Sequence, residues 1–473
     1  MSEVFQNYVN GQWQASVSDA TMAIADPNTG SVGSQVPTGA PEDAQAAITA
    51  AASALSGWAR TPLTERIDAV KRLAEALNHR AEVLASTIAS EVGTPLKISH
   101  YVQTMAPIRN CANFVKVAEA FEWSREVANS LVVREPVGVV ACITPWNFPL
   151  HQIVLKVVPA LLCGNTVVLK PSELTPETTR LFAEAVHEAG FPAGVVNIVN
   201  GNGAQVGMPM VTSKLVNMVS FTGSTATGQA VMREAAATVK KVSLELGGKS
   251  PSVILPSADL LRAIKGTLGG CMLNNGQTCN ALTRVLVPED KLDEFKTLIA
   301  AEVKKLTVGA SLEATTRLGP VISATQQQRV QDLVRKGIEQ GASVIASVTE
   351  IPSEGFFVSP MVLEVKPDNV LAREEVFGPV LSVLTYKTVE EAVAIANDTD
   401  YGLAAAVWGE PEEAMSVANQ LRAGQVDLNG APFNPLAPFG GFGMSGIGRE
   451  AGSAGLEEFL EYKSIQQPLP AKE

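Results

Sequence analysis

The chain has 473 residues, of which 46% are hydrophobic and 18% charged, with 38 glycines and 28 prolines spread along its length. This length is too great for one hydrophobic core and predicts two or three domains, while the composition argues against long disordered segments. The formal net charge is -12 without any lysine- or arginine-rich run. That balance excludes the electrostatic pattern of nucleic-acid binding and disfavours binding to anionic membranes.

Targeting and redox features point to one compartment. Residues 1–7 lack the basic start and apolar stretch of a secretory signal. The most apolar stretch, Ile153–Leu169, is interrupted by a lysine, a proline and a Gly-Asn pair, so it does not supply the roughly 20 apolar residues of a membrane span. No cysteine lies in a CxxC or Cys/His pattern, which predicts reduced thiols, no metal site and a cytoplasmic protein. The five cysteines are Cys111, Cys142, Cys163, Cys271 and Cys279.

The first half of the chain changes from helical to alternating patterns. Helical spacing of apolar residues over Ala40–Ala59 and Pro62–Val92 predicts a mainly helical start. Short β-branched runs then alternate with helix-length stretches such as Thr178–Ala189, which predicts parallel βαβ units in a doubly wound sheet. The predicted strands are Val137–Ile143, Thr166–Leu169, Val195–Val199, Val216–Phe221 and Lys241–Leu244.

A second series of the same kind follows and predicts a second α/β domain. No shared period links the two series, so no internal repeat is inferred. The predicted helices are Asp290–Leu306 and Ala324–Gln340. The predicted strands are Ser252–Leu255, Arg284–Val287, Ser343–Ile345, Val358–Val365 and Val380–Tyr386.

Cys279 is the candidate reactive thiol. It lies in the segment Asn274–Asn280, among polar amides and a glycine, whereas a buried structural cysteine normally has apolar neighbours. An unperturbed thiol is only about 3% thiolate at neutral pH, so a nucleophilic cysteine needs a helix N-terminus, a cation or a base nearby. The alternative is that Cys279 is a small core residue. If Cys279 is the nucleophile, other segments of the chain must supply its activating group.

Two loops that follow predicted strands carry polar groups suited to such a role. Glu245 ends one apparent strand and is followed by Gly247-Gly248, and ligands of open α/β sheets lie at such strand ends. Asn147 lies in a loop fixed by two prolines after the strand Val137–Ile143. The alternative for Glu245 is that it opens an ordinary Gly-Gly turn. The alternative for the Asn147 loop is a rigid turn with a packed tryptophan.

Three further segments suit a phosphate or a ribose. Phe221-Thr222-Gly223-Ser224 ends a strand and opens a helix, where backbone N–H groups hold a pyrophosphate well. Gly203 with Gly207 is a second glycine pair, although neither segment is a GxGxxG fingerprint. Lys170 and Glu173 follow another strand and suit ribose hydroxyls, with a solvated turn as the alternative.

Together these segments resemble the aldehyde dehydrogenase superfamily, whose motifs occur here in the expected order over essentially the whole chain. The segments that carry the resemblance are Pro145–Pro149, Lys170–Glu173, Phe221–Ser224, Glu245–Lys249, Gly276–Cys279, Glu374–Pro379 and Pro438–Gly441. The resemblance implies NAD-dependent oxidation of an aldehyde to an acid through a cysteine thiohemiacetal and a thioester that water hydrolyses. NADP is the weaker alternative cofactor.

The resemblance also implies a role for each site residue. Cys279 is the nucleophile, Glu245 the general base and Asn147 the oxyanion donor. Lys170 is implied both as a catalytic residue and as a cofactor contact. The implied cofactor contacts are Thr144, Trp146, Lys170, Glu173, Gly203, Gly207, Phe221, Gly223, Ser224, Leu246, Glu375 and Phe377. The implied substrate pocket comprises Phe148, Gln152, Leu155, Thr278, Asn280, Phe433 and Phe439.

Two departures from the family pattern stand out. Phe442-Gly443-Met444 occupies a loop where relatives usually have a lysine. Lys156 matches a lysine of a proton path, but Ser453 replaces a glutamate often found three residues after Gly-Arg-Glu. We therefore expect any proton relay that needs that glutamate to be compromised.

The resemblance implies a Rossmann-like cofactor domain, an α/β catalytic domain and a small β extension for oligomerisation. The expected bounds are 1–119 with 137–246, then 247–449, and finally 120–136 with 450–473. Ser130–Arg134 is a strand-like run set apart from the sheet units, and Ile465–Glu473 is a proline-bearing tail. We expect a homodimer or homotetramer by analogy.

Several alternatives remain at this level. A CoA-acylating enzyme would not need the water-activating Glu245, and a Cys/His hydrolase has only His151 near a motif. A silent binding protein on the same fold would not need Cys279, Glu245 and Asn147 together. The implied pocket mixes apolar walls with amides and has no cation, so a neutral aliphatic or aromatic aldehyde is favoured over a carboxylated semialdehyde.

Overall fold

Alternating strands and helices make up the first half of the computed structural model, which describes residues 5–468. Its strands are β1 (Asn7–Val9), β2 (Gln12–Gln14), β3 (Thr21–Ala25), β4 (Val32–Pro37), β5 (Ser124–Val127), β6 (Ser130–Pro136), β7 (Val139–Ile143), β8 (Thr166–Lys170), β9 (Val196–Ile198), β10 (Met218–Thr222) and β11 (Lys241–Glu245). Its α-helices are α1 (Pro41–Trp58), α2 (Leu63–His79), α3 (Ala81–Val92), α4 (Leu96–Ile98), α5 (Ala106–Ala120), α6 (Pro149–Leu162), α7 (Pro176–Ala189), α8 (Met208–Thr212) and α9 (Thr225–Ala235). Two π-helical segments, Ser99–Met105 and Gly203–Gly207, and a 3-10 turn at Ala236–Thr238 complete this half.

The second half repeats the alternation. Its strands are β12 (Pro251–Ile254), β13 (Arg284–Pro288), β14 (Ser343–Ser347), β15 (Met361–Glu364), β16 (Val380–Tyr386), β17 (Ala404–Trp408), β18 (Gln425–Leu428), β19 (Gly446–Ile447) and β20 (Leu460–Gln466). Its α-helices are α10 (Leu260–Met272), α11 (Leu292–Val303), α12 (Ala324–Glu339), α13 (Val370–Arg373), α14 (Val389–Asn397), α15 (Pro411–Ala418) and α16 (Gly452–Glu457). Short 3-10 turns lie at Glu289–Lys291 and Gly443–Ser445, and a tight turn at Leu273–Gly276 follows α10.

These strands form two large sheets and two small ones. The first large sheet has the order β19-β11-β10-β7-β8-β9-β1-β2, and the second has the order β14-β15-β16-β13-β12-β17-β18. Strands β11, β10, β7, β8 and β9 are mutually parallel, whereas β1 and β19 join the edges antiparallel. The small sheets are β20-β6-β5 and β3-β4. The α/β fold class predicted from the sequence is confirmed.

The apolar pattern of the central strands explains why helices cover both faces of the first sheet. Along β7, Val140 and Cys142 pack into one core with α2, α5, α6 and α7. The alternate residues Val139, Ala141 and Ile143 pack into a second core with α1 and α9. Successive side chains of a strand point to opposite faces. A strand that is apolar at every position therefore requires a helical layer on each side.

Most predicted elements are present within one to three residues of their predicted ends, and the departures have local causes. The first hundred residues are mainly helical as predicted, although four short strands, β1 to β4, precede α1. Pro62–Val92 is two helices rather than one, since the chain breaks at Arg80 between α2 and α3. Two segments named from the sequence extend beyond the described residues. They are 1–7, where no secretory signal is predicted, and the tail Ile465–Glu473.

None of the helices within residues 5–468 is both long enough and apolar enough to cross a bilayer.

Candidate active site

The ends of four parallel strands lie in one row of the first sheet. Lys170 at the end of β8 pairs with Ile143 at the end of β7. Ile143 in turn pairs with Phe221 of β10, and Phe221 pairs with Leu244 of β11. The segments that follow these strands therefore begin side by side at the carboxyl edge, where ligands of open α/β sheets bind. They carry Thr144, Trp146, Asn147, Glu173, Gly223, Ser224 and Glu245.

The loop that presents Cys279 begins with an unusual backbone turn. Asn274 and Asn275 both have left-handed conformations, with φ of +53° and +61°. Asparagine tolerates this region better than most residues. Gly276 follows with φ +76°, and a Cβ there would lie 2.1 Å from the carbonyl oxygen of Gly378. Only glycine fits this position, which brings the 374–379 segment against the cysteine loop.

Two of the strand-end loops contact the cysteine loop directly. The side-chain amide of Asn147 donates a hydrogen bond of 3.1 Å to the carbonyl oxygen of Gln277. On the other side, a Cβ on Gly248 would lie 2.7 Å from the carbonyl oxygen of Cys279. The segments that carry Asn147, Glu245 and Cys279 thus meet around residues 277–279, which is the association expected from the motifs.

Cys279 is partly exposed, whereas the other four cysteines are buried. Burial of its sulfur raises the pKa of the Cys279 thiol to about 12, and the neighbouring carboxylates of Glu245 and Glu375 raise it further. A hydrogen bond from the Asn280 backbone opposes this only in part. The thiol is therefore protonated at neutral pH and needs a base to become a nucleophile.

Glu245 is the candidate base, because among the neighbouring charges its carboxylate has the largest effect on the pKa of the Cys279 thiol. It is 3% exposed, and neither carboxylate oxygen has a hydrogen-bond partner among the described residues. Burial first, and then the charge of Glu450, raises the pKa of Glu245 well above its ordinary value. Gly440, at φ +149°, makes room for the carboxylate, because a Cβ there would lie 2.6 Å from Glu245 Oε1. A carboxylate whose pKa is raised in this way is a stronger base than an ordinary carboxylate.

A buried ion pair lies behind Glu245. Lys156 Nζ donates to Glu450 Oε1 at 2.5 Å, with side-chain exposures of 1% and 5%. The carboxylate beside Lys156 is thus Glu450 of the Gly448-Arg449-Glu450 motif, three residues before the exposed Ser453. The charge of Lys156 opposes that of Glu450 in its effect on the pKa of Glu245.

The predicted ribose contacts lie together at the end of β8. Lys170 is buried and donates to Glu173 Oε2 at 3.1 Å and to the carbonyl of Pro171 at 2.7 Å. Gly207 lies beside the Lys170 stem, and Gly203 begins the same π-helical segment at its exposed end. The side chain of Glu173 is 31% exposed, so one face of the carboxylate remains open to a ligand.

The segment after β10 combines a helix start with close packing. Ser224 caps α9 by accepting a hydrogen bond from the backbone N–H of Thr227 at 3.3 Å, which leaves other N–H groups of the first turn without a helical partner. The N–H of Gly223 is already bonded to the carbonyl of Glu245 at 3.1 Å, so it is not free for a phosphate. Leu246 packs against Gly228 so closely that a Cβ there would lie 2.4 Å away.

The predicted nicotinamide contacts face the cysteine loop. Glu375 Oε1 accepts from the backbone N–H of Gly248 at 3.0 Å, and burial raises its pKa to about 6. Phe377 has φ +57°, and its ring meets the ring of Trp146 edge-on with centroids 5.4 Å apart. Thr144 is buried, and its hydroxyl has no partner among the described residues.

The predicted substrate-pocket residues differ in exposure. Phe148, Gln152, Leu155, Thr278 and Phe439 are buried, Asn280 is partly exposed and Phe433 is 47% exposed. The rings of Phe433 and Phe439 lie 6.0 Å apart. The hydroxyl of Thr278 donates within its own turn to Leu273, whereas Gln152 Oε1 has no described partner.

The motifs assign no role in aldehyde oxidation to three residues that lie at the site. Asn274 links the cysteine loop to Asn147, Glu450 pairs with Lys156, and half-buried His151 packs its ring 6.4 Å from that of Phe148. A lysine within the apolar stretch 153–169 was the one signal available, since a buried lysine requires a partner. Among residues 5–468, no group of three or more acidic, histidine or cysteine side chains is placed to hold a metal ion.

Comparison with known proteins agrees with this geometry. The sequence model of the Aldehyde dehydrogenase family matches residues 13–465. A 3-succinoylsemialdehyde-pyridine dehydrogenase of a Pseudomonas species is 41% identical over 98% of this chain and 99% of its own length. A mutant of aldehyde dehydrogenase C from Pseudomonas syringae, solved with NAD+ and octanal, has a TM-score of 0.97 at 41% identity, covering 99% of this chain and 98% of that one. An NAD+ complex of aldehyde dehydrogenase from Bacillus cereus has a TM-score of 0.95 at 37% identity, with 98% and 96% covered. The chain belongs to the aldehyde dehydrogenase family.

Proposed function

We propose that this chain oxidises a neutral aliphatic or aromatic aldehyde to its carboxylic acid with NAD, through a thioester on Cys279. One observation carries the proposal: the Asn147 amide is bonded to the loop of Cys279, beside a buried glutamate whose two oxygens have no described partner. A nucleophile, an oxyanion donor and a base thus lie on converging segments, and each residue type suits its role.

The first step forms the carbon–sulfur bond. Glu245 takes the thiol proton, because burial otherwise keeps Cys279 protonated. The sulfur then attacks the aldehyde carbon, and the electron pair of the carbonyl moves to oxygen. One hydrogen of the Asn147 amide is held by the Gln277 carbonyl, which leaves the second to stabilise the oxyanion together with the backbone N–H of Cys279.

NAD, when bound, supplies the two-electron acceptor that no side chain can provide. The chain has features that fit this cofactor: Lys170 and Glu173 for the adenosine ribose, the first turn of α9 for the pyrophosphate, and Glu375 with Phe377 for the nicotinamide riboside. Thr144, Trp146, Gly203, Gly207, Phe221, Gly223 and Leu246 would complete the surroundings. Collapse of the oxyanion as the carbon loses its hydride leaves the acyl group on Cys279 as a thioester.

The second half of the reaction releases the acid. After Glu245 has released the thiol proton to solvent, it removes a proton from water, and the oxygen adds to the thioester carbon. The carbon–sulfur bond then breaks, and the sulfur leaves as a thiolate that regains a proton. The buried carboxylate favours water as the acyl acceptor over the CoA-acylating alternative, because a thiol acceptor would not require it.

Two names among the relatives guide the choice of substrates. One relative is named for a pyridine-bearing semialdehyde and one neighbour was solved with octanal. The pocket residues Phe148, Leu155, Phe433 and Phe439 are apolar, and Gln152, Thr278 and Asn280 are uncharged. A semialdehyde-specific enzyme remains the second candidate, since the first of these relatives carries that name.

The direct test is NADH formation across alkyl, aromatic and carboxylated aldehydes, with the acid product identified by mass spectrometry. We expect the neutral aldehydes to have the highest kcat/KM. Acid formation without NADH, or turnover that requires CoA, would contradict the proposal. A clear preference for carboxylated aldehydes would instead establish the second candidate.

We further propose the domain division 1–119 with 137–246, then 247–449, and 120–136 with 450–473 as an oligomerisation extension. The sheet β20-β6-β5 supports the extension, because it stands apart from the two large sheets. Tyr462 and Ile465 on β20 are 54% and 45% exposed. We expect a homodimer or homotetramer in the cytoplasm, where five free thiols stay reduced. Light scattering at several concentrations tests the assembly, and a monomer would refute it.

A further inference from the structure

A buried chain of hydrogen bonds connects the helical layer to the loop of Cys279. Gln103, in the π-helical segment Ser99–Met105, donates from Nε2 to Thr94 Oγ1 at 2.9 Å. Thr94 in turn donates its hydroxyl proton to Asn274 Oδ1. All three side chains are at most 1% exposed. The chain therefore ends on a residue only five positions before Cys279.

The other end of the Asn274 side chain holds two backbone carbonyls. Its Nδ2 donates to the carbonyl of Asn147 at 2.8 Å and to the carbonyl of Gln277 at 3.2 Å. The Asn147 side chain donates to the same Gln277 carbonyl at 3.1 Å. Asn274, Asn147 and Gln277 thus form a closed triangle that fixes the Asn147 backbone and amide relative to the loop of the nucleophile.

This arrangement also fixes the orientation of the Asn274 amide. Both carbonyl partners can only accept, so the nitrogen must face them. The Thr94 hydroxyl receives a hydrogen bond from Gln103, so its own proton goes to Asn274 Oδ1. Every polar atom of the Asn274 side chain therefore has a partner, and these buried hydrogen bonds hold the amide in one orientation.

We propose that Asn274 is a positioning residue of the oxidation step, which Thr94 holds in place and which acts by orienting the Asn147 amide for the developing oxyanion. The proposal rests on the function proposed above for Asn147 and Cys279. Asn274 does not touch the reacting atoms itself. Its effect should appear in the hydride-transfer rate, because an oxyanion donor acts only when it is aligned with the developing charge.

The neighbouring residue provides a matched control. Asn275 has the same left-handed backbone and the same 1% exposure, but its amide donates to the carbonyls of Gly93 and Pro320, away from Asn147. Glycine at either position keeps the backbone conformation and removes the amide. The pair Asn274→Gly and Asn275→Gly therefore separates loss of the contact to Asn147 from general loosening of the loop.

The experiment measures the single-turnover rate of NADH formation, together with the KM for NAD and the melting temperature. We expect Asn274→Gly to slow hydride transfer by roughly 10- to 100-fold, the order of effect of a small misplacement at a reacting centre. The KM for NAD should stay unchanged. Asn275→Gly should lower the melting temperature by a similar amount and leave hydride transfer little affected. Equal rates for Asn274→Gly and wild type would overturn the proposal, as would equal slowing by both variants.

A double-mutant cycle makes the test specific to Asn147. If Asn274 acts through Asn147, then Asn274→Gly should add almost nothing in an Asn147→Ala background, whereas additive losses would overturn the inference. Thr94→Val should give a smaller loss in the same direction and Thr94→Ser should restore the rate, which keeps the test open if Asn274→Gly fails to fold. A wild-type rate in Asn147→Ala itself would overturn the proposed function and this inference with it.

Discussion

Lys156 Nζ lies 2.5 Å from Glu450 Oε1, and both side chains are almost completely buried. The two residues have opposite effects on the pKa of Glu245. The negative charge of Glu450 makes the Glu245 carboxylate harder to ionise, and the positive charge of Lys156 makes it easier. Because Glu245 must be ionised to act as a base, burial of this carboxylate and the charges of the pair together shift the acid limb of the pH–rate profile.

We expect Glu450→Gln to shift the acid limb of kcat/KM to lower pH, since it removes a negative charge and leaves Lys156 beside Glu245. Lys156→Met should shift the limb to higher pH and reduce stability by about 3–5 kcal/mol, because it leaves a buried carboxylate unpaired. The pH profiles and urea unfolding curves of the two variants check these expectations. Shifts in the same direction for both variants would show that the pair does not tune Glu245.

Replacing the nucleophile should separate chemistry from cofactor binding. We expect Cys279→Ser to abolish aldehyde oxidation, because an alcohol is a far poorer nucleophile and the oxygen would have no strong base to ionise it. NAD binding, followed by quenching of tryptophan fluorescence, should persist. The matched control is Cys271→Ser, a buried thiol outside the loop, which should retain turnover. Activity within tenfold of wild type in Cys279→Ser would remove Cys279 from the mechanism.

Glu245→Gln distinguishes two roles of the carboxylate. If the hydrolytic step depends on it more than thiol activation does, rapid mixing should show a burst of NADH followed by slow turnover. The acylated enzyme should then be detectable by mass spectrometry as an adduct on Cys279. Loss of both phases would assign Glu245 chiefly to thiol activation.

Glu91 should make stability depend on pH. Its carboxylate accepts from the backbone N–H groups of Glu177 and Thr178 at the start of α7, at 2.6 and 3.0 Å, yet burial raises its pKa to about 7. The folded state therefore holds this proton more tightly than the unfolded state. The stabilisation from protonated Glu91 is complete below the unfolded pKa near 4.5 and is lost as pH rises through about 7.

We expect the free energy of unfolding to fall between pH 4.5 and 7 less steeply in Glu91→Gln than in wild type, because the amide does not titrate. Urea unfolding at half-unit steps of pH measures the difference between the two proteins. Parallel curves across this window would show that Glu91 titrates alike in the folded and unfolded states.

The sequence specifies the central strands of both sheets well, because buried parallel strands are continuous runs of apolar residues such as Val139–Ile143. The edges are specified poorly. Strand β2, Gln12–Gln14, has three residues and two exposed glutamines, and β19 has only two residues. Such strands exist through pairing with a neighbour, and a local pattern does not contain that partner.

The same reasoning applies to the site. Cys279, Glu245 and Asn147 lie in motifs with distinctive local composition, so their segments could be identified from the chain alone. The partnership of Lys156 with Glu450 spans 294 positions, and that of Thr94 with Asn274 spans 180. Lys156 stands out as a charge in an apolar stretch, but the other partners look ordinary in their own segments, and only the packing of α6 and α3 against distant loops brings the pairs together.

The preference between NAD and NADP depends on the contact between Lys170 and Glu173. Lys170 Nζ is 3.1 Å from Glu173 Oε2 and also donates to the Pro171 carbonyl. Its charge is thus already partnered, and the partly exposed Glu173 carboxylate presents a negative charge to an incoming ribose. A 2′-phosphate there would meet like charge, whereas a 2′-hydroxyl can donate a hydrogen bond to the carboxylate.

We expect kcat/KM to be higher with NAD than with NADP. Glu173→Gln should raise kcat/KM with NADP and lower it with NAD, because it removes the repulsion and frees Lys170 to face a phosphate. Glu177→Gln, an exposed carboxylate on α7 that pairs with Arg180, is the control and should leave the ratio unchanged. Equal kcat/KM values for the two cofactors in wild type, or no gain with NADP in Glu173→Gln, would show that this carboxylate does not set the choice.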